Sequence, residues 1–263
     1  MVGASDAANV DTVIATASGA LGAAIGVVTN IITTDHSTGV VVTGTSTDKS
    51  SLTGTSVSVD ADAKEGISSL LIAASGAQYA AVSASVNVNR QLSDVSAAVD
   101  QTEVLGSFAQ NANYLGRITT SAITAAGSQY AAVPISVVIN YADNAVSSSV
   151  AHSILRAEGQ SASVGANRIS EFSSLNVTAS GAMYGAAAGL VNVNTIEGAT
   201  SAEVNDSEVK AGQFSVNAEN EDHLKVTDVT ATGAIGSLGA SVVVSYFKGS
   251  SAANLRNCLL YTS

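Results

Sequence analysis

The chain has 263 residues, of which 46% are hydrophobic and only 4% aromatic, with a single Pro and no Trp. Ten Lys and Arg against 21 Asp and Glu leave a formal net charge of −11, so a nucleic-acid phosphate backbone would be repelled rather than neutralised. The lone Cys258 excludes a disulfide framework and thiolate-ligated metal sites.

The first element to recur is an apolar–Gly turn at Gly19, Gly76, Gly127, Gly181 and Gly233, with spacings of 57, 51, 54 and 52 residues. Ala4, Ala61, Ala112, Ala166 and Ala218 keep step with it at the same spacings. Two markers that drift together define five copies of one unit, each burying its apolar face against the next. Ahead of the first copy, Met1 is followed by no basic segment and no apolar core of signal-peptide type, and Gly3-Ala4-Ser5 already fits a repeat strand. The start is therefore expected to be internal to a longer protein.

In the first unit, Ile14 to Ile32 is mostly apolar, with Gly22 and Gly26 at the spacing of a helix-packing motif. The aligned stretch of the second unit carries Gln78, Ser83, Ser85, Asn87 and Asn89. A copy cannot span a bilayer if its sibling cannot, so no membrane insertion is expected. In the second unit Val57, Val59, Ala61 and Ala63 alternate with Ser58, Asp60 and Asp62, and Val82, Ala84, Val86 and Val88 alternate with Ser83, Ser85, Asn87 and Asn89. Period two means strands, with one set inward and the other in water. The third unit repeats this with Val133, Ile135, Val137 and Ile139, the fourth with Ala187, Gly189, Val191 and Val193, and the fifth with Phe214, Val216 and Ala218. A further apolar region follows each long strand, at Val99 and Val104, Val150 and Leu155, Val204 and Val209. Polar clusters at Asp35-His-Ser-Thr-Gly39, Ala142-Asp-Asn144 and Glu219-Asn-Glu-Asp222 read as turns between strands.

This pattern predicts an all-β, parallel β-solenoid of five repeats over residues 1–257, each unit winding either as one large coil or as two coils of about 26 residues, with two the favoured reading. Equivalent positions then stack into ladders: Tyr79, Tyr130 and Tyr184; Asn89, Asn140 and Asn194; Asp62, Asn113, Asn167 and Glu219. Stacked amides hydrogen-bond along the axis, whereas stacked carboxylates repel, and mixing the two relieves the repulsion. The register is expected to stop at Asn257. Residues 258–263, Cys-Leu-Leu-Tyr-Thr-Ser, translate TGT CTC TTA TAC ACA TCT, a transposase-adaptor end, and are expected to be a non-native tail.

Residues 1–257 carry a resemblance. The string Ala73-Ala-Ser-Gly-Ala-Gln-Tyr-Ala-Ala-Val-Ser-Ala-Ser-Val-Asn-Val-Asn89, with Val177-Thr-Ala-Ser-Gly-Ala-Met-Tyr184 and Leu238-Gly-Ala-Ser-Val-Val-Val244, resembles the passenger repeats of large Gram-negative surface adhesins of the autotransporter and filamentous-haemagglutinin/leukotoxin kind. The resemblance implies a β-helical stalk, export across the outer membrane, an extracellular or cell-surface location, and adhesive contact.

Residues with chemistry to offer were weighed against that reading. No Gly-rich loop is followed by Lys-Ser/Thr, so no nucleotide loop is expected. His36, His152 and His223 fall at unrelated phases of the repeat and share no ladder, which points to surface turns rather than to a metal site or a catalytic base. No serine has an adjacent base and acid. Glu219, Glu221 and Asp222 cluster without a calcium-binding nonapeptide repeat. The competing class is a carbohydrate-active β-helix enzyme, a polysaccharide lyase or hydrolase, for which Asp60 and Asp62 on one strand face are the candidate acids. Asn111, Asn113 and Asn167 fill most of the neighbouring positions, so few carboxylates gather. A matrix scaffold is a third class. The expectation is a structural adhesin segment with no catalytic, cofactor or metal site. Its surface of Ser, Thr and Asn would contact host or matrix glycans and proteins weakly, since it lacks the Trp, Tyr and Arg anchors of strong interfaces.

Overall fold

A computed structural model describes residues 1–262 as eleven strands and no helix: β1 (Val2–Ala20), β2 (Ala23–Thr43), β3 (Ser50–Ala77), β4 (Ala80–Asp100), β5 (Thr102–Ser128), β6 (Ala131–Ala151), β7 (Ile154–Gly181), β8 (Gly185–Asn205), β9 (Glu208–Gly233), β10 (Gly236–Arg256) and β11 (Leu259–Thr262). Odd-numbered strands form one parallel sheet in the order β1-β3-β5-β7-β9-β11, and even-numbered strands form another in the order β10-β8-β6-β4-β2. The chain alternates between the sheets, so each repeat is one wide coil of two long strands. This corrects the expectation of two small coils. The polar clusters expected as turns lie within β2, β6 and β9, and the strands run straight through them. Their alternation is unbroken: Asp35, Ser37 and Gly39 face out while His36 and Thr38 face in. A polar cluster that keeps period two satisfies both faces of a strand and needs no turn.

The repeat markers fall into register. Gly19, Gly76, Gly127, Gly181 and Gly233 pair in succession, as do Ala4, Ala61, Ala112, Ala166 and Ala218. The alanine column is inward and packs with Val59, Val104, Val150, Leu155 and Val204 in the largest apolar cluster. Val99 and Val104 flank the second turn of the coil, and both are buried. At that turn Gln101, His152, Asp206 and Asn257 all take left-handed φ, between 48° and 51°. The next residue stacks too: Ser153 Oγ accepts from the Thr102 amide at 3.1 Å, and Ser207 Oγ from the Ser153 amide at 3.1 Å. The first coil replaces this tight turn with the loop 44–49, closed by the Asp48 amide donating to Thr45 Oγ1 at 2.9 Å.

The register does not stop at Asn257. Cys258 occupies the place of Ser207 and donates to the Arg256 carbonyl, and β11 adds to β9 through Leu259↔Glu208 to Thr262↔Ala211. Leu, Tyr and Thr suit a strand edge, and parallel pairing there needs only backbone groups. Ser263, the last residue of the expected tail, lies outside the described residues.

The larger departure concerns which residues face inward. In β4 the inward set is Ala81, Ser83, Ser85, Asn87, Asn89, Gln91, Ser93, Val95, Ala97 and Val99. Ser83, Ser85, Asn87 and Asn89 are therefore buried, whereas Val82, Ala84, Val86 and Val88 face out. The apolar parity changes along this strand, from even numbers at 82–88 to odd numbers at 95–99. Because the strand is continuous, placing Val95, Ala97 and Val99 in the core carries Ser83 to Gln91 inward with them. Part of this buried set is bonded along the stack. Asn89 Nδ2 donates to Asn140 Oδ1 at 3.0 Å and Asn140 Nδ2 to Asn194 Oδ1 at 2.9 Å, while Thr120 Oγ1 donates to Asn140 Oδ1 at 2.8 Å from the facing sheet. Ser85 joins Thr124 at 2.6 Å and Ser136 at 2.9 Å.

The stabilities of three variants test this packing. Ala166→Leu should overpack the inward column and lower stability by about 1–3 kcal/mol. Asn140→Ala should leave its buried partners short of hydrogen bonds and cost about 1–3 kcal/mol, whereas outward Val86→Ser should stay within about 0.5 kcal/mol. Chemical denaturation of the three variants reads all three, and an equal loss at Asn140 and Val86 would contradict the assigned faces.

Candidate functional site

The charged groups of the interior gather in two adjacent columns of the odd-strand sheet, Ala63/Tyr114/Arg168/Asn220 and Glu65/Gly116/Ser170/Asp222, with Asp228 further along β9, where its Oδ1 accepts from Asn176 Nδ2 at 2.8 Å and from Asn192 Nδ2 at 3.2 Å. Alternation carries the two columns inward, where they meet Gln91, Ser93, Asn144 and Gly198 of the even-strand sheet. Arg168 is fully buried. Its Nη2 lies 2.9 Å from Asp222 Oδ1 and 3.0 Å from Oδ2, while Nη1 donates to Ser170 Oγ at 3.0 Å and to the Glu197 carbonyl at 3.3 Å. A glycine makes room for the guanidinium: a Cβ on Gly198, whose φ is +151°, would stand 3.2 Å from Arg168 Cζ and 2.2 Å from the Asn144 carbonyl oxygen. Gly116 does the same for its neighbours, since a Cβ there would meet the Tyr114 hydroxyl at 2.5 Å and Gln91 Oε1 at 2.7 Å.

Glu65 accepts a hydrogen bond from Ser93 Oγ and is buried in the same file. Burial holds its carboxyl above the ordinary value of 4.5, against the opposing pull of the Ser93 hydrogen bond and of His36. Burial, and then the Glu65 charge, push the Tyr114 phenol well above its usual range. Several polar atoms here find no protein partner, among them Gln91 Oε1 and Nε2, both side-chain polar atoms of Asn144, and Arg168 Nε. The groups are strung along the axis about one strand spacing, ~4.8 Å, apart rather than converging around a void. That arrangement holds charge in the core.

The outer faces place the sequence candidates individually. Asp60 and Asp62 do share the outer face of β3, and each is held by an amide of the next coil, from Asn111 at 2.9 Å and Asn113 at 2.8 Å. Amides rather than further carboxylates surround them. Glu219, Glu221 and Asp222 do not gather: Asp222 points inward to Arg168, while Glu219 and Glu221 face out. His152 is the only one of the three histidines in a turn, with Nδ1 3.0 Å from Asp100 Oδ1. His36 faces inward on β2, 3.4 Å from Asp6, and His223 stands on β9 with Nε2 2.9 Å from Glu221. These two correct the expectation of turn histidines, for the same reason that the polar clusters are strand. Among the described residues no group of three or more His, Cys, Asp or Glu side chains is placed to hold a metal ion. An open depression of about 500 Å³ lies over β5, β7 and β9, lined by Arg117, Glu171, His223 and Lys225, and the Arg117–Glu171 pair at 2.6 Å spans it.

Two surface features recur at the glycine turn, the first over the three middle coils, since Gly22 and Ile235 hold the tyrosine position in the end coils. Tyr79, Tyr130 and Tyr184 pile up at the glycine turn, with ring centroids 5.4 and 5.3 Å apart and planes within 13° and 15° of parallel. Around that turn charge vanishes: residues 12–34, 66–89, 118–142, 172–196 and 229–247 contain no Asp, Glu, Lys or Arg. This half of every coil also turns Val, Ile and Ala outward, so the sheet exterior is apolar here rather than the expected Ser, Thr and Asn surface. The signal in sequence was the parity switch between Val88 and Val95 together with the charge-free windows. No protein family, no curated protein and no solved structure matches the chain.

Removing Asp222 should leave the Arg168 guanidinium buried without its counter-charge, so Asp222→Ala should cost about 3–5 kcal/mol. The raised Glu65 value has a definite sign. The folded chain holds that proton more tightly than the unfolded chain, so the contribution is fully present below pH 4.5 and is lost as pH rises through the folded value. Glu65→Gln should flatten the fall in stability above pH 4.5, measured as denaturation midpoints across a pH series. Parallel pH curves for the two proteins would mean that Glu65 is not perturbed.

Proposed function

We propose that this chain is a structural passenger segment of an exported bacterial surface adhesin, located at the cell surface or outside the cell. The observation that carries the proposal is the continuous parallel stack, in which every coil pairs with its neighbour along both long strands, with one local register shift in each of the pairs β3/β5, β5/β7 and β7/β9. Even the turns are joined between coils, as where the Ala131 amide donates to the Tyr79 carbonyl at 3.1 Å and the Gly185 amide to the Tyr130 carbonyl at 3.0 Å. Such a stack is extended by adding coils, and its neighbouring repeats are its first partners. The resemblance of Ala73–Asn89 and its cousins to adhesin passenger repeats supplies the cellular setting.

The proportions refine the mechanical part. A strand of 21 residues spans roughly 70 Å at ~3.3 Å per residue, while each coil adds only ~4.8 Å along the axis. A repeat of this kind makes width more efficiently than reach. The segment acts as a broad wall that holds flanking regions in place and offers shallow, low-affinity contact to glycans or matrix proteins. It has no catalytic residue, cofactor, nucleic-acid partner or inserted membrane segment in this reading.

The test is a glycan and matrix-protein binding panel run beside an activity screen on pectin-, chitin- and hyaluronan-like polymers at several pH values. Weak binding without turnover is the expected result. Reproducible turnover abolished by Asp60→Asn or Asp62→Asn would replace the adhesin reading with a polysaccharide-cleaving enzyme.

A further inference from the structure

The even-strand sheet carries five outward columns that begin at Ala23, Ile25, Val27, Thr29 and Ile31 and run through β4, β6, β8 and β10. Apart from Thr29, all are Ala, Gly, Val, Ile or Leu. On the central strand β6, flanked on both sides, Ile135 is still 45% exposed. With columns ~6.6 Å apart and strands ~4.8 Å apart, the face measures roughly 33 by 24 Å, or about 800 Å². The largest apolar patch of an ordinary monomer is about 300–600 Å². The opposite sheet offers less, since Ser121 and Thr227 interrupt its outward column from Val13.

We propose that this face is the docking surface for a second copy of the same chain, packed sheet to sheet about a two-fold axis. Three observations select that occupant. The first is area, because about 800 Å² per partner is what a stable specific interface buries. The second is periodicity: ladders repeated at the strand spacing are matched, ridge against groove, by another stack of parallel strands with the same repeat. A glycan would find no hydrogen-bonding side chains on this face beyond Thr29. The third is charge. The chain carries −11 overall, and none of it lies on the face. The acidic outward residues of the same sheet, Asp35, Asp94, Asp100, Asp143, Glu197 and Glu203, lie in the other half of each strand. A two-fold axis along the stack through the apolar half superposes the neutral patches and sends the two acidic halves in opposite directions. A flat lipid surface would have to accept the neutral and acidic halves together, which disfavours it.

The pairing does not depend on the adhesin reading. Sedimentation velocity on the whole chain should give a species of twice the 26.0 kDa chain mass at tens of micromolar. Val137→Lys, at the centre of the patch on β6, should abolish the dimer with circular dichroism and melting unchanged, while Ser58→Lys on the opposite sheet should leave it intact. If Val137→Lys does not fold, Val242→Lys on the terminal strand β10 decides by the same readout. A monomeric wild-type chain, a dimer that survives the folded lysine variant, or flotation of monomers with neutral phosphatidylcholine vesicles would each overturn the proposal. Association through the open strand edges at the ends of the stack would appear as the second of these outcomes.

Discussion

Everything in this molecule follows from parallel stacking at a single spacing, which places residues of the long strands directly above their counterparts in the next coil, apart from one shift in each of the pairs β3/β5, β5/β7 and β7/β9. A position is therefore not one residue but a column, and its chemistry must be compatible with itself several times over. Tyrosines comply by lying nearly face to face, and asparagines by passing amide hydrogen bonds from Asn89 to Asn140 to Asn194. Carboxylates comply by alternating with amides, as Asp60 and Asp62 do against Asn111 and Asn113, or by standing on the outer face beside a donor, as Asp143 and Glu197 do next to the Tyr141 hydroxyl. The buried ion pair obeys the same rule, because Arg168 and Asp222 come from adjacent coils and the guanidinium fills space that glycine leaves open at 198.

Strand continuity adds the second constraint. A coil made of short strands could choose its inward set anew after each turn, but a strand of 21 residues has a single parity. Where the apolar pattern changes phase, one half of the strand must present its apolar set to solvent. The Ser, Thr and Asn residues that go inside instead are tolerable because two sheets and the stack axis together supply partners in three directions. An interior of this kind depends on register more strictly than an oily one, since a slip of one coil position would break every amide ladder at once.

This explains which parts of the architecture could be read from the residues. The two drifting markers identified the repeat, the parallel stack, the inward alanine column and the tyrosine and asparagine ladders, because each of these depends only on equivalence between copies. What equivalence cannot supply is the path inside one copy. Whether 52 residues wind as one coil or two, and whether Asp35–Gly39 bends or runs straight, turn on how two unlike segments meet, and period two is silent on that. The inside–outside assignment of Val82–Asn89 failed for the same reason, as it was judged from its own composition rather than from the parity of Val95–Val99 further along. The Arg168 network was invisible because its members are scattered over columns that look unrelated until the second sheet is laid against the first.

The loop at 44–49 shows where such a stack can change without unravelling. It spends six residues at a turn that later coils close with one or two, yet β3 pairs with β5 from Ser50↔Thr102 and, after a one-residue register shift between Thr53 and Ser56, on to Ala77↔Ser128. Closing a longer loop costs only about 0.6 kcal/mol per doubling of length, and from Val57 onward the columns of β3 and β5 stay in register. Lineages that lengthen this protein by duplicating coils would thus have one edge open to novelty, where inserted segments could diverge in sequence and size while the stacked positions are kept from drifting by their own copies.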